Sequence, residues 1–194
     1  KRIILKVGTS VLTENREIAK ERMLNLVSFI VKIRKKYEVV LVTSGAVAAG
    51  YTALKLDRKE HIGKKVLAAV GQPILMSAYK KKFDIFNIDI SQILLTEDDF
   101  DSRKMTEIFR QIINTSLQEG IMPIVNENDI SSTPEQLFGD NDQLAARVTH
   151  HTNADLLVIL SDIDGYYDSN PEKNPNAKIL KEINSISEKA LGAA

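Results

Sequence analysis

The chain has 194 residues, 43% hydrophobic and 27% charged, with 26 Lys and Arg set against 26 Asp and Glu. That length and balance fit one globular domain with a sizeable core, and a net charge of zero gives no electrostatic footprint for nucleic acid or a membrane surface. Cysteine is absent, which excludes disulfides, thiolate nucleophiles and cysteine-held zinc; no apolar run reaches the roughly 18–20 residues of a membrane span and no signal peptide precedes the first strand, so a cytoplasmic protein is expected.

The first predicted strand, residues 2–7, runs into Lys6-Val7-Gly8-Thr9-Ser10. A lysine where a buried strand meets a small-residue turn is poorly placed as a surface charge. It is well placed to hold an anion: the ammonium can offset charge on a transferring phosphoryl group, the turn can aim N–H groups at it, and Gly8 lets the backbone approach an oxygen. Ile18, Leu24, Val27, Ile30 and Val31 recur at helical spacing and predict a helix over 18–36. Val39-Val40-Leu41-Val42 reads as a strand buried on both faces. Thr43-Ser44-Gly45 then turns into a helix of small residues, with Ser44 as a natural N-cap and Ala46, Ala48, Ala49 and Gly50 leaving room for a ligand. Gly45 to Thr52 nearly spells the phosphate loop GxxxxGK(S/T), but Tyr51 stands where the lysine belongs, so that motif is rejected.

Further along, helices are predicted over 59–70 and 72–82, with Pro73 near the start of the second. A strand over 88–95, a helix over 102–119 and a strand over 121–125 follow. A loop or hairpin over 126–139, a helix over 140–151, a buried strand over 155–160 and a loop over 161–177 complete the pattern.

Strands separated by helices pair in parallel through right-handed crossovers. The expected fold is α/β, a three-layer α/β/α sandwich with an open, mainly parallel sheet and no composition break, so residues 1–194 read as one domain. Ligands in such sheets sit at the carboxyl ends of the strands. Polar clusters fall there at Lys6–Ser10, Thr43–Gly45, Asn126–Asp129 and Ser161–Gly165, and Gly139-Asp140-Asn141-Asp142 precedes a helix. Asn126-Glu127-Asn128-Asp129 can be a polar turn held by Asx hydrogen bonds, and Asp140-Asn141-Asp142 can be an acidic helix start. Together the two clusters suit an amino-group ligand, a metal, or both, and they would repel phosphate. Ser161-Asp162-Ile163-Asp164-Gly165 lacks the spacing of a calcium loop and fits the edge of a nucleotide site. His61, His150 and His151 show no metal-ligand spacing and read as solvated or capping side chains. The basic runs Arg34–Lys36 and Lys80–Lys82 sit at helix C-termini, where they complement the macrodipole.

The segments KVGTSVLT at 6–13, VTSGAVAAG at 42–50, AAVGQ at 68–72, QILLT at 92–96, PIVNEND at 123–129, GDND at 139–142 and SDIDGYYDSNP at 161–171 carry a resemblance. In order, and over about residues 1–178, they resemble the glutamate-phosphorylating branch of the amino-acid kinase family. The Gly-Gly pair that follows the first-strand lysine in aspartokinase-like and N-acetylglutamate kinase-like chains is replaced by Val7-Gly8-Thr9. The resemblance implies phosphorylation of the side-chain carboxylate of L-glutamate by ATP with Mg²⁺, and no protein metal site. It implies that Lys6, the catalytic residue, contacts ATP with Gly8, Thr9, Ser161 and Asp162. It places Ser44, Gly45, Asn126, Asp129 and Asn141 on glutamate, with Asp140 and Asp142 shaping the same loop. It also implies a homo-oligomer, feedback by proline, and a glutamyl-phosphate reductase as a partner. Family members carry a downstream glycine-rich stretch, roughly GTGGMxTK, later strands, and in many cases an RNA-binding-like module. None occurs in these 194 residues, so the expectation is a kinase domain incomplete at its C-terminal end. Two other readings stand beside this one: a non-catalytic amino-acid-binding or regulatory domain of the same fold, and a kinase for another small amino acid.

Overall fold

The computed structural model describes residues 1–14, 17–54, 61–131, 141–171 and 173–184. Its contacts divide the chain into two units, Lys1–Leu160 and Ser161–Ala194.

The first unit is built on a five-stranded sheet: β1 (Arg2–Val7), β4 (Glu38–Val42), β5 (Ile90–Leu95), β6 (Met122–Glu127) and β7 (Leu156–Leu160), in the order β5-β6-β4-β1-β7. Every pairing in it is parallel, so all five carboxyl ends lie on one edge. A short helix α1 (Thr9–Leu12) and a two-stranded antiparallel ribbon, β2 (Thr13–Glu14) with β3 (Glu17–Ile18), leave the end of β1. Sequence pattern gave no sign of either, because both are shorter than one period of the signals that announce helices and strands.

Helices α2 (Lys20–Ile33), α3 (Ala46–Ala53) and α4 (His61–Phe83) lie to one side of the sheet. Met23, Val27 and Ile30 of α2, Ala49 of α3, and Leu75, Tyr79 and Phe83 of α4 bury against Leu5, Val7, Leu41 and Ile124. On the other side, α5 (Glu97–Asp101), α6 (Arg103–Gln118) and α7 (Asn141–His151) bury Phe100, Phe109, Ile113, Leu144 and Val148 against Ile4, Val40, Val42 and Val125. Each fully buried side chain of this kind contributes about 1.5–3 kcal/mol. Alternate residues of one strand therefore face opposite layers. This is the expected three-layer sandwich with a parallel sheet.

Four expectations change. Residues 61–83 form one helix, not two, and Pro73 lies inside it. Leu67, Gly71, Leu75, Tyr79 and Phe83 keep one buried stripe in register on both sides of the proline, and that burial outweighs the lost backbone hydrogen bond. Among the described residues the strand at 156–160, expected to be buried, is an edge strand, with Leu156 50% and Ile159 44% exposed. Ser44 does not cap α3; the N-cap is Gly45, at φ +103°, and no side chain caps the helix. Finally, α5 precedes α6 and is closed by a capping box between Thr96 and Asp99.

The small residues of α3 serve helix packing. A Cβ on Gly50 would stand 1.9 Å from the Leu67 carbonyl oxygen, and one on Gly71 would stand 1.8 Å from that of Ala46. The backbones of α3 and α4 therefore touch, and Gly50 admits a helix where sequence reasoning placed a ligand.

The second unit is held by the antiparallel bridge Tyr167–Ile179, with Leu180 N–H donating to the Tyr166 carbonyl at 2.7 Å. The Lys178 backbone N–H donates to the Asp168 carboxylate at 2.9 Å and holds its pKa below the usual range.

Candidate active site

The carboxyl edge of the sheet collects polar side chains from both helical layers. Lys6 is the penultimate residue of β1 and shares the face of Ile4, toward α7. It is 5% exposed. Burying an ammonium without a partner costs several kcal/mol, and Asp142 in the first turn of α7 supplies the partner: Nζ lies 2.5 Å from Oδ1. The Asp142 side chain is 40% exposed as a whole, while the Oδ1 that meets Lys6 is buried. An ammonium has three donors, and the pair fixes its position while leaving it able to bind a second anion.

Gly8 follows. Its φ of −75° suits any residue, and a Cβ there would meet nothing nearer than 3.6 Å. Neither backbone nor packing requires glycine. Such a Cβ would instead stand 3.8 Å from the Lys6 nitrogen, in the space an anion beside that nitrogen would use. The Gly8 N–H is spent on the Leu160 carbonyl at 3.1 Å, so it is not aimed at a ligand as the turn suggested. Thr9 is exposed, with its carbonyl accepting from the Thr13 hydroxyl at 2.8 Å.

Thr43 and Asn126 share the face that meets α4. Thr43 Oγ1 and the buried Tyr79 hydroxyl are 2.8 Å apart; burial pushes the Tyr79 pKa up. Asn126 is 3% exposed, and its Oδ1 accepts from its neighbour Glu127 N–H at 2.9 Å and from Asn141 Nδ2 at 2.8 Å. The same Asn141 nitrogen donates to the Thr43 carbonyl at 2.5 Å. Asn126 Nδ2 donates to Gln72 Oε1 at 2.8 Å, and Gln72 Nε2 to Gln92 Oε1 at 3.0 Å. Asparagines from opposite layers thus meet over the sheet edge.

Asp129 lies just beyond β6. Burial, reinforced by the charge of Glu127, pushes its pKa up to about 6 against the opposing pull of Lys65. Lys65 Nζ donates to the Ile130 carbonyl at 2.8 Å, which ties α4 to this turn. Ser44 and Gly45 form the β4–α3 turn.

Of the sequence-predicted site residues, Lys6 meets Asp142 and Asn126 meets Asn141; Gly8, Ser44, Gly45 and Asp129 lie on turns that follow the strands. Asp140 lies outside the described residues. Ser161 and Asp162 fall in the second unit, where the Ser161 hydroxyl donates to Asp162 Oδ1 at 3.3 Å. Sequence reasoning missed the Lys6–Asp142 pair, because it assigned the two residues to different ligands. It also missed Gln72 and Tyr79. Gln72 carried a signal, as a polar residue flanking the buried stripe of α4.

Among the described residues no group of three or more His, Asp or Glu is placed to hold a metal. His151 stacks on Phe100 with centroids 5.3 Å apart, and burial lowers its pKa. His150 is exposed, and the side chain of His61 lies outside the described residues. No helix among the described residues is long and apolar enough to cross a membrane.

The profile of the Amino acid kinase family matches residues 1–192. Glutamate 5-kinase of Wolinella succinogenes is 48% identical over 198 residues, covering 100% of this chain and 76% of the relative. Glutamate 5-kinase of Leishmania donovani is 48% identical over 187 residues, covering 96% and 71%. The crystal structure of UMP kinase from Ureaplasma parvum superposes with a TM-score of 0.60 at 20% identity, over 100% of this chain and 84% of that one, which speaks for the fold alone. A parallel sandwich with a buried lysine at the end of its first strand and a family match across nearly every residue lead to one assignment: the chain belongs to the amino acid kinase family.

Proposed function

We propose that this chain is the kinase portion of a glutamate 5-kinase: it transfers the γ-phosphoryl group of ATP to the side-chain carboxylate of L-glutamate, the first step toward proline. The observation that carries the reading is the buried Lys6 ammonium, clamped by Asp142 beside the Asn126–Asn141 pair. The cation and the amide pair are brought side by side by the adjacent residues Asn141 and Asp142. The nucleophile is a carboxylate, already ionised at neutral pH, so the reaction needs no general base. A glutamate oxygen bonds to the γ-phosphorus as the bond to the β,γ-bridging oxygen breaks, and ADP leaves. Two anions must be aligned and their repulsion offset, so the protein's work is positioning and charge neutralisation.

Lys6 offsets phosphoryl charge, with Gly8 keeping its approach clear. Ser161 and Asp162 serve the nucleotide, and Thr9 lies at the same turn as Gly8. Asn141, Asp129 and Ser44 receive glutamate. Mg²⁺ bound with ATP would offset phosphate charge and would need no more than one or two carboxylates from the protein; Asp142 is the one that would be at hand beside Lys6. The mixed-anhydride product hydrolyses readily, so we extend the proposal to direct transfer to a glutamyl-phosphate reductase. Proline feedback, a homo-oligomer and a cytoplasmic location belong to the same reading, as does the treatment of residues 1–194 as one incomplete kinase domain.

The test is coupled ADP release. Glutamate should drive it, while N-acetylglutamate, which lacks a free ammonium, should not. Glutamate binding without ADP release would favour a non-catalytic domain, and a preference for aspartate would favour another acceptor.

Asp129 adds a pH signature. Its carboxyl holds a proton up to about pH 6 in the folded protein, whereas an unperturbed aspartate releases it near 3.9. The stabilisation from that retained proton is full below the unfolded pKa and is lost as the pH rises through about 6. Binding has the opposite sign, because only the carboxylate attracts an ammonium. kcat/KM for glutamate should therefore fall about ten-fold per pH unit below that point, and Asp129→Asn should give a low, flat profile. An inflection unchanged in Asp129→Asn would remove this residue from the binding step.

A further inference from the structure

Gln72 meets Asn126, the partner of Asn141, and its place in the hydrogen-bond chain is specific. A primary amide is nearly symmetric in shape and opposite in chemistry at its two ends, so its orientation is decided by its partners. Asn141 is decided by the Thr43 carbonyl, which can only accept, and by Asn126 Oδ1. Both hydrogens of its amide nitrogen are spent there, so toward a ligand Asn141 can act only as an acceptor. That arrangement holds only while Asn126 presents oxygen to Asn141. The Glu127 N–H supports this orientation from one side. From the other, Gln72 Oε1 accepts from Asn126 Nδ2. Gln72 Nε2 in turn donates to Gln92 Oε1.

We propose that Gln72, anchored by Gln92, is a positioning residue that sets the amide orientation of Asn126 and through it of Asn141, so that the site offers oxygen to a substrate ammonium group. The inference rests on the glutamate reading above and deepens it by naming what selects an amino acid over the corresponding diacid. The relay starts on α4, crosses the end of β6 and ends at the first residue of α7, joining the two helical layers at the edge where the ligand would sit.

The experiment compares Gln72→Met and Gln72→Glu in the full-length protein. It measures KM and kcat for glutamate, KM for ATP, and inhibition by glutarate, which has the same two carboxylates and no ammonium. Gln72→Met removes the acceptor while keeping bulk, and should raise the glutamate KM about ten-fold or more, the effect of losing one hydrogen bond to a charged group. kcat, the ATP KM and the glutarate inhibition constant should stay within about two- to three-fold of wild type, inside the spread of surface substitutions. Gln72→Glu keeps an oxygen facing Asn126 and should restore most of the glutamate affinity. Gln92→Met should shift the glutamate KM in the same direction by less.

A glutamate KM in Gln72→Met within two-fold of wild type overturns the inference, as does an equal loss for glutamate, glutarate and ATP, the signature of a merely structural role. A wild-type protein that neither binds nor phosphorylates glutamate overturns this inference and the proposed function together. A working wild type with an indifferent Gln72→Met overturns the inference alone.

Discussion

Lys6→Met should lower turnover about 10²–10³-fold or more while the protein still folds, the loss expected when one preorganised donor to a developing charge is removed. Methionine is close to lysine in length and fills the buried channel beside β1, so no large cavity forms. The partner left behind, Asp142, has a side chain that is 40% exposed. The oxygen that meets Lys6 is itself buried, so the variant bears part of the about 3–5 kcal/mol penalty of stranding a charge, limited by the exposed remainder of the side chain. Folding and catalysis should still separate: a cooperative melt at a lowered midpoint, with ADP release nearly abolished. The glutamate affinity should change little, because the ammonium-binding acceptors lie on Asn141 and Asp129. Turnover within a few-fold of wild type would take Lys6 out of the mechanism, and a collapse of glutamate affinity alone would reassign it to the acceptor site.

How much of this could be read from the sequence depends on the range of the signal. The strands β1, β4, β5 and β6 and the helices α2, α6 and α7 were legible within a few residues, because each carries a periodic or continuous apolar pattern longer than one period. The site edge was legible too, since polar clusters at Lys6, Thr43, Asn126 and Asn141 each end a strand or open a helix. What stayed hidden depends on partners distant in the chain. The Lys6–Asp142 pair spans two elements on one face, and no local pattern says which carboxylate meets an ammonium. The Asn126–Asn141 contact requires α7 to start over the end of β6. The fate of Ser44 turned on backbone conformation: with Gly45 in the left-handed region, the cap moved one residue on, which composition alone could not reveal. The role of Gly50 is decided by a helix some twenty residues away.

Gly71→Ala should therefore be among the most destabilising single substitutions in the chain, although it adds one methyl group to a helix that favours alanine. In an isolated helix the change would stabilise by about 0.8–1.0 kcal/mol. Here the new carbon would lie 1.8 Å from the Ala46 carbonyl oxygen and 2.4 Å from the Gly50 nitrogen. Both are backbone atoms that no rotamer change can move aside. Relief requires α3 to shift away from α4, at a cost of about 3 kcal/mol or more, or a fall in melting midpoint of about 6–12 °C for a protein of this size. Gly50→Ala should behave alike, with its Cβ 1.9 Å from the Leu67 carbonyl oxygen. Because Gly45 is the N-cap of α3, the same shift would displace the Ser44–Gly45 turn and raise the glutamate KM. Two other glycines calibrate the effect. Gly45→Ala meets nothing within 4 Å but sits at φ +103°, so it should cost about 1–2 kcal/mol from backbone strain alone. Gly8→Ala has an ordinary φ and no close neighbour; it should leave the melt unchanged or slightly raised and show its effect in activity, by crowding the space beside Lys6. The stability order Gly71 and Gly50 below Gly45, and Gly45 below Gly8, follows from contact distance and φ alone, and a Gly71→Ala melt equal to that of Gly8→Ala would mean that α3 and α4 do not pack backbone to backbone.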